Sequence, residues 1–154
     1  MRNCLRRRRK EAMLYVDQKN MKYKIVTGSE YLKIKDVERL IRMTYWAGNR
    51  PLEQIEVSMK NSSCFGIFLE ETDTLVGFAR VISDYATTYY LCDVIIDPKF
   101  RNKGMGSALV SHITSLPELS GLRGILITRD AHSLYRKFGF EVFNDRVMIK
   151  APET

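Results

Sequence analysis

Apolar positions along this chain follow two rhythms, one of period two and one near 3.6, and the switches between them mark short elements. Tyr23-Lys24-Ile25-Val26-Thr27 reads as a strand stopped by Gly28. Leu32, Val37, Leu40 and Ile41 then form a stripe on a helix reaching about Met43, with Ser29 and Asp36 as candidate N-caps. Residues 45 to 51 form a loop, and Pro51 suits the first turn of a second helix running to about Asn61. Three strand-like segments follow, Cys64 to Glu70, Leu75 to Ile82 and Thr87 to Ile96, the last closed by Pro98. Met105, Leu109, Val110 and Ile113 mark one side of a helix from about Gly104 to Ser115. Gly124 to Thr128 is apolar throughout, which predicts a central strand. Asp130 is a candidate cap for a short helix through Phe138, Gly139 fits its stop, and Glu141 to Lys150 reads as a last strand. The order β, two helices, three strands, α, β, α, β predicts a mixed α/β sheet with a helix-covered face.

A length of 154 residues suits one domain. No apolar run approaches the roughly 20 residues that cross a bilayer, and no apolar h-region follows the basic start. The three cysteines, Cys4, Cys64 and Cys92, cannot all pair within one chain and lack metal-ligand spacing. A cytoplasmic, reduced protein without membrane or metal is therefore expected. The formal charge of +7 narrows this further. Five units sit in the first 20 residues, around Arg6-Arg7-Arg8-Arg9-Lys10, and the remaining 134 carry only +2. Residues 1–21 accordingly read as a basic, flexible leader and residues 22–154 as the domain. Nucleic acid is not the expected partner, because base stacking needs aromatics among the cations and the leader has only Tyr15.

The stretch from Val94 to Ala108 carries the most chemistry. A buried strand enters a loop holding Arg101, Lys103, Gly104 and Gly106, and a helix follows. The start of a helix presents unpaired N–H groups and a partial positive charge, and glycine lets a phosphate approach them. Ser107 adds a hydroxyl donor. The loop is not a Walker A motif, since Gly106 is followed by Ser107 and Ala108 rather than Lys-Ser/Thr. Nor does it match a dinucleotide fingerprint: the third glycine position is Leu109, and residues 97 to 103 separate Ile96 from the glycines.

Arg101-x-x-Gly104-x-Gly106, preceded by a hydrophobic residue, Asp97 and Pro98, resembles the acetyl-CoA signature of the GNAT superfamily of N-acetyltransferases. Ala131-His132-Ser133-Leu134-Tyr135-Arg136-Lys137-Phe138-Gly139-Phe140 is similar to the Ala-x-x-Leu-Tyr-x-x-x-Gly-Phe segment of the same superfamily. The resemblance covers nearly everything except the leader. It implies a single-domain fold with a mixed, mostly antiparallel central sheet flanked by helices, and transfer of an acetyl group from acetyl-CoA to a primary amine of a small molecule or peptide.

By the same resemblance, Val94, Ile95 and Ile96 pair through their backbone with the pantetheine arm. The diphosphate sits on N–H groups of Asn102, Lys103, Gly104, Met105, Gly106 and Ser107, flanked by Arg101. Tyr135 stands as general acid. The superfamily often has Asn where this chain has Thr128, leaving Thr128 or Asp130 to supply a polar contact. The general base is open among Asp93, Asp84, His132 and water. Period-two alternation puts Tyr90 and Cys92 opposite Asp93 unless a bulge intervenes. Tyr45 and Trp46 are candidates for clamping the acceptor amine, and Arg50 for pairing an acidic group. A homodimer is allowed. The alternatives are a non-catalytic domain that binds CoA or another nucleotide, and a nucleic-acid module built on the leader.

Overall fold

In the computed structural model, which describes residues 13–17 and 20–151, the chain folds around a six-stranded sheet. Its strands are β1 (Met13–Val16), β2 (Lys22–Thr27), β3 (Ser63–Leu69), β4 (Leu75–Ser83), β5 (Thr88–Ile96) and β6 (Arg123–Ile125). They lie side by side in chain order. The first five pair antiparallel, and β6 joins β5 in parallel. The helices are α1 (Ile34–Arg42), α2 (Leu52–Lys60), α3 (Met105–Thr114) and α4 (His132–Arg136). A parallel β5–β6 pair needs a crossover, which α3 provides.

The strand alternation deals apolar residues to two cores. Tyr23, Ile25, Phe65, Ile67 and Leu91 pack on one face against Leu109 and Ile113 of α3 and Tyr135 of α4. On the other, Val26, Cys64, Phe78 and Ile95 meet Leu40 and Ile41 of α1 and Ile55 of α2. Burial pushes the Cys64 and Cys92 thiols up to about 11, as fits small core hydrophobes. Among the described residues, no helix is long and apolar enough to cross a membrane.

Three predicted features differ. The sheet begins inside the stretch read as leader: β1 pairs with β2, Tyr15 stacks on Tyr23 at 5.4 Å, and the Asp17 carboxylate accepts the Met21 N–H at 2.8 Å. These links stabilise a segment whose own pattern is weak; the basic run of residues 6 to 10 lies outside the described residues. The segment predicted as a central strand from Gly124 to Thr128 contributes instead to a three-residue strand that, among the described residues, pairs only with β5, leaving Ile125 and Ile127 exposed. Residues 141 to 150, predicted as a last strand, form none. Asn144-Asp145-Arg146 turns the chain there, dividing the run into two short arms whose Phe143 and Met148 lie exposed.

Both helix caps also fall elsewhere. Lys33 and Ala131 precede α1 and α4, and the Thr128 hydroxyl accepts the Ala131 N–H at 3.0 Å.

Candidate active site

The end of β5 is paired on one side only. Ile95 and Ile96 remain in register with Phe78 and Gly77 of β4. On the other side, β6 matches β5 only from Thr88 to Tyr90. From Leu91 to Ile96 that edge of β5 has no strand partner among the described residues, which leaves room for an extended ligand arm to add as a strand would.

The chain leaves β5 through Asp97. Its carboxylate caps the turn Pro98–Phe100 by accepting the Lys99 N–H at 3.0 Å, and receives Arg39 of α1 at 3.0 Å. The Arg101 Nε–H folds back onto the Ile96 carbonyl at 3.1 Å, and the Lys103 ammonium lies 5.0 Å from the Phe100 ring centroid. Asn102 and Gly104 are left-handed, with φ of 59° and 83°. These turns aim the backbone outward. The N–H groups of residues 102 to 107 donate to no acceptor among the described residues, and Ala108, bonding the Gly104 carbonyl at 3.0 Å, is the first to do so. A Cβ at Gly104 would meet no protein atom within 4 Å. The start of α3 is thus an open row of donors with a partial positive charge, and it fits a diphosphate.

A bulge in β5 decides where Asp93 points. Arg80 is opposite Cys92 and Phe78 is opposite Ile95, so three steps on β5 match two on β4. Asp93 takes φ of 51°, which Asp tolerates better than most residues. Before the bulge Tyr89 and Leu91 face α3, whereas after it Ile95 faces α1 and α2. Asp93 turns with Ile95 to the α1–α2 side. There its side chain, 3% exposed, meets Arg50 (2.6 and 3.1 Å), the Arg80 Nε–H (2.6 Å) and the Trp46 indole N–H (3.4 Å). Burial works to raise its pKa, yet the hydrogen bonds from Arg50 and Arg80 hold the carboxyl below the usual carboxylate range.

Two base candidates are therefore committed elsewhere. Asp93 is locked between arginines, and the acidic group Arg50 pairs with is Asp93 itself. Asp84 shapes the exposed β4–β5 turn, accepting the Thr87 hydroxyl (2.7 Å) and the N–H groups of Ala86, Thr87 and Thr88. The Thr87 hydroxyl and those N–H groups hold its carboxyl well below the usual range. His132 stands at the first turn of α4, half-buried.

Tyr135 lies one turn further along α4, its ring edge-on to Phe140 at 6.0 Å, and Phe140 in turn meets Tyr89 at 6.5 Å. Gly124 makes this stack possible, because a Cβ there would come within 2.5 Å of the Tyr89 ring. Burial, assisted by Asp130, pushes the Tyr135 phenol up to about 12. Its hydroxyl bonds no described residue and is not a sealed, partnerless atom. Neighbouring Leu134 packs near Gly106, placing α4 against the start of α3.

Tyr45 and Trp46 are exposed on the α1–α2 loop, edge-to-face at 4.9 Å, and the Arg129 guanidinium stacks 3.8 Å from the Tyr45 ring. Sequence reasoning missed two arginines. Arg80 had a visible signal, a lone cation in the apolar strand Leu75–Ser83, whereas Arg39 had none apart from its partner 58 residues away.

The chain is similar in sequence and fold to known acetyltransferases. The model of the acetyltransferase (GNAT) domain matches residues 61–142. An uncharacterized N-acetyltransferase, ycf52 of Porphyra purpurea, is 27% identical over 129 residues, covering 80% of this chain and 74% of that one. The crystal structure of a GNAT-family protein from Xanthomonas campestris pv. campestris superposes with a TM-score of 0.78 and 36% identity, over 84% of this chain and 93% of that chain. An aminoglycoside N-acetyltransferase solved in complex with CoA shares the fold at a TM-score of 0.65 and 14% identity, over 86% and 95% of the two chains.

Proposed function

The chain belongs to the GNAT acetyltransferase family, and from that premise we propose that it moves an acetyl group from acetyl-CoA to a primary amine by direct attack within a ternary complex. The observation that carries this reading is the row of unpaired N–H groups from Asn102 to Ser107, reached directly from the open edge of β5. Acetyl-CoA, when bound, supplies the acyl group as a thioester. In this reading the backbone of Val94, Ile95 and Ile96 holds the pantetheine arm, and the N–H groups of residues 102 to 107 hold the diphosphate. Arg101 and Lys103 flank it with positive charge.

Tyr135 keeps its proton at every physiological pH and offers its O–H to the leaving sulfur. A free alkylammonium has a pKa near 10.4 and a thiol near 8.5, so the amine has to lose a proton and the sulfur benefits from gaining one. Asp93 and Asp84 are both occupied, which leaves water or His132 to accept the amine's proton.

Initial-rate kinetics with both substrates varied tests direct attack. Intersecting double-reciprocal lines are expected; parallel lines with an isolable acetyl-enzyme would overturn it.

A further inference from the structure

Two guanidinium groups converge on one carboxylate beside the β5 bulge, and their charges do not balance. Arg50 commits both terminal nitrogens to Asp93, while Arg80 commits only Nε. Asp93 is the carboxylate that Arg80 pairs with. The two terminal NH2 groups of Arg80 donate to no described residue, although its side chain is only 12% exposed. Neither nitrogen is a fully buried atom lacking a partner, so this edge of the guanidinium is reachable. A cation held in place by Asp93 with two donor groups unused can take a second anion.

The surroundings suit a small ligand. Cys92 is the register partner of Arg80, and Tyr90 lies two residues earlier on the same face. The Trp46 indole closes over Asp93 from the α1–α2 loop, next to Tyr45. Asp93 immediately precedes Val94, the first residue of the segment assigned to the pantetheine arm, so the free edge of Arg80 is close to where the amine would attack.

Resting on the acetyltransferase reading above, we propose that the acceptor amine carries an oxyanion, a carboxylate or a phosphate monoester, bound by the free edge of Arg80. A planar guanidinium fork matches either group, and charge-assisted bonds of this kind are the strong ones. Polycationic amines are then disfavoured by the same net positive charge.

The test compares matched acceptors with the full chain and acetyl-CoA: an α-amino acid against its amide, and phosphoethanolamine against ethanolamine. In at least one pair the anionic member is expected to have a kcat/KM higher by about ten- to a hundredfold, the worth of a charge-assisted hydrogen bond. The responding pair identifies carboxylate or phosphate. Arg80→Gln should erase that preference, mainly through the KM of the anionic member, leaving the two members of the pair alike. Equal turnover within both pairs, preference for the uncharged or cationic members, or a preference that survives Arg80→Gln overturns the proposal.

Trp46 is the chain's single tryptophan and gives a readout that needs neither turnover nor the variant. Its fluorescence in the wild-type protein, with CoA present, should respond saturably to the anionic members and not to their neutral counterparts. That response without any amine-dependent CoA release would preserve the anion site and remove the acetyltransferase reading. Turnover without anion preference would do the reverse. The absence of both response and preference overturns the site.

Discussion

Arg50 grips Asp93 through two hydrogen bonds, 2.6 and 3.1 Å long, between residues 43 apart in sequence. The pair fastens the α1–α2 loop to the bulge of β5, and Arg80 completes the clamp from β4 at 2.6 Å. Loop, bulge and open strand edge are thereby held as one unit on the α1–α2 side of the sheet.

Removing the carboxylate leaves two arginines facing each other without compensation. Asp93→Asn is expected to destabilise the fold by about 3–5 kcal/mol, the usual cost of breaking a buried pair. For a domain of this size that lowers Tm by roughly 10 °C. The effect depends on pH. Because the folded-state pKa of Asp93 lies below its unfolded value, its contribution is fully present above about pH 3.9 and is lost as pH falls through the folded value. Thermal melts of wild type and Asp93→Asn from pH 7 downward should therefore converge in acid. A constant difference would show that the charge is not the cause.

Tyr135→Phe keeps the ring that packs on Phe140 and removes only the hydroxyl. Turnover should fall by about 10²–10⁴, the range for a general acid, with Tm and acetyl-CoA affinity nearly unchanged. Rapid-quench measurement of single turnovers separates this from slowed product release.

Gly106→Ala distinguishes ligand contact from folding. A Cβ there would have ordinary contacts, 3.7 Å to Ile96 and 3.9 Å to Leu134, so the fold should accept it within about 1 kcal/mol, the helix-propensity difference between the two residues. Calorimetry should nonetheless show weakened acetyl-CoA binding, since the methyl group intrudes on the row of N–H donors.

Gly124→Ala should behave oppositely. Its methyl group would collide with Tyr89 at 2.5 Å and Phe140 at 3.0 Å, at a cost of about 1–3 kcal/mol for overpacking. Urea denaturation should show the loss, accompanied by a turnover defect if the ring stack positions Tyr135.

How much of this was legible in the sequence follows from where each signal lies. The strands from Lys22 to Ile96 and helices α1 to α3 each repeat an apolar period against a buried face, so pattern alone locates them within a few residues. β1 has no such period, and pairing and the Tyr15–Tyr23 stack hold it in place. The apolar run beginning at Gly124 resembles a doubly buried strand, although its residues lie at the edge of the described sheet. The glycine loop and the segment around Tyr135 stand out as candidates in the sequence because their spacing is local. The fate of Asp93 was not legible: one left-handed residue reverses its face, and its three partners come from two other segments, the α1–α2 loop and β4. Arg39 and Asp97 are likewise joined only by the folded chain.

Acetyl transfer from acetyl-CoA to an amine is decided by thiol release from the full chain across a panel of primary amines. Amine-dependent release of CoA, with one acetylated amine formed per thiol, is the predicted result. Tight binding of acetyl-CoA with no release above the amine-free rate for any acceptor, oxyanion-bearing ones included, would contradict it.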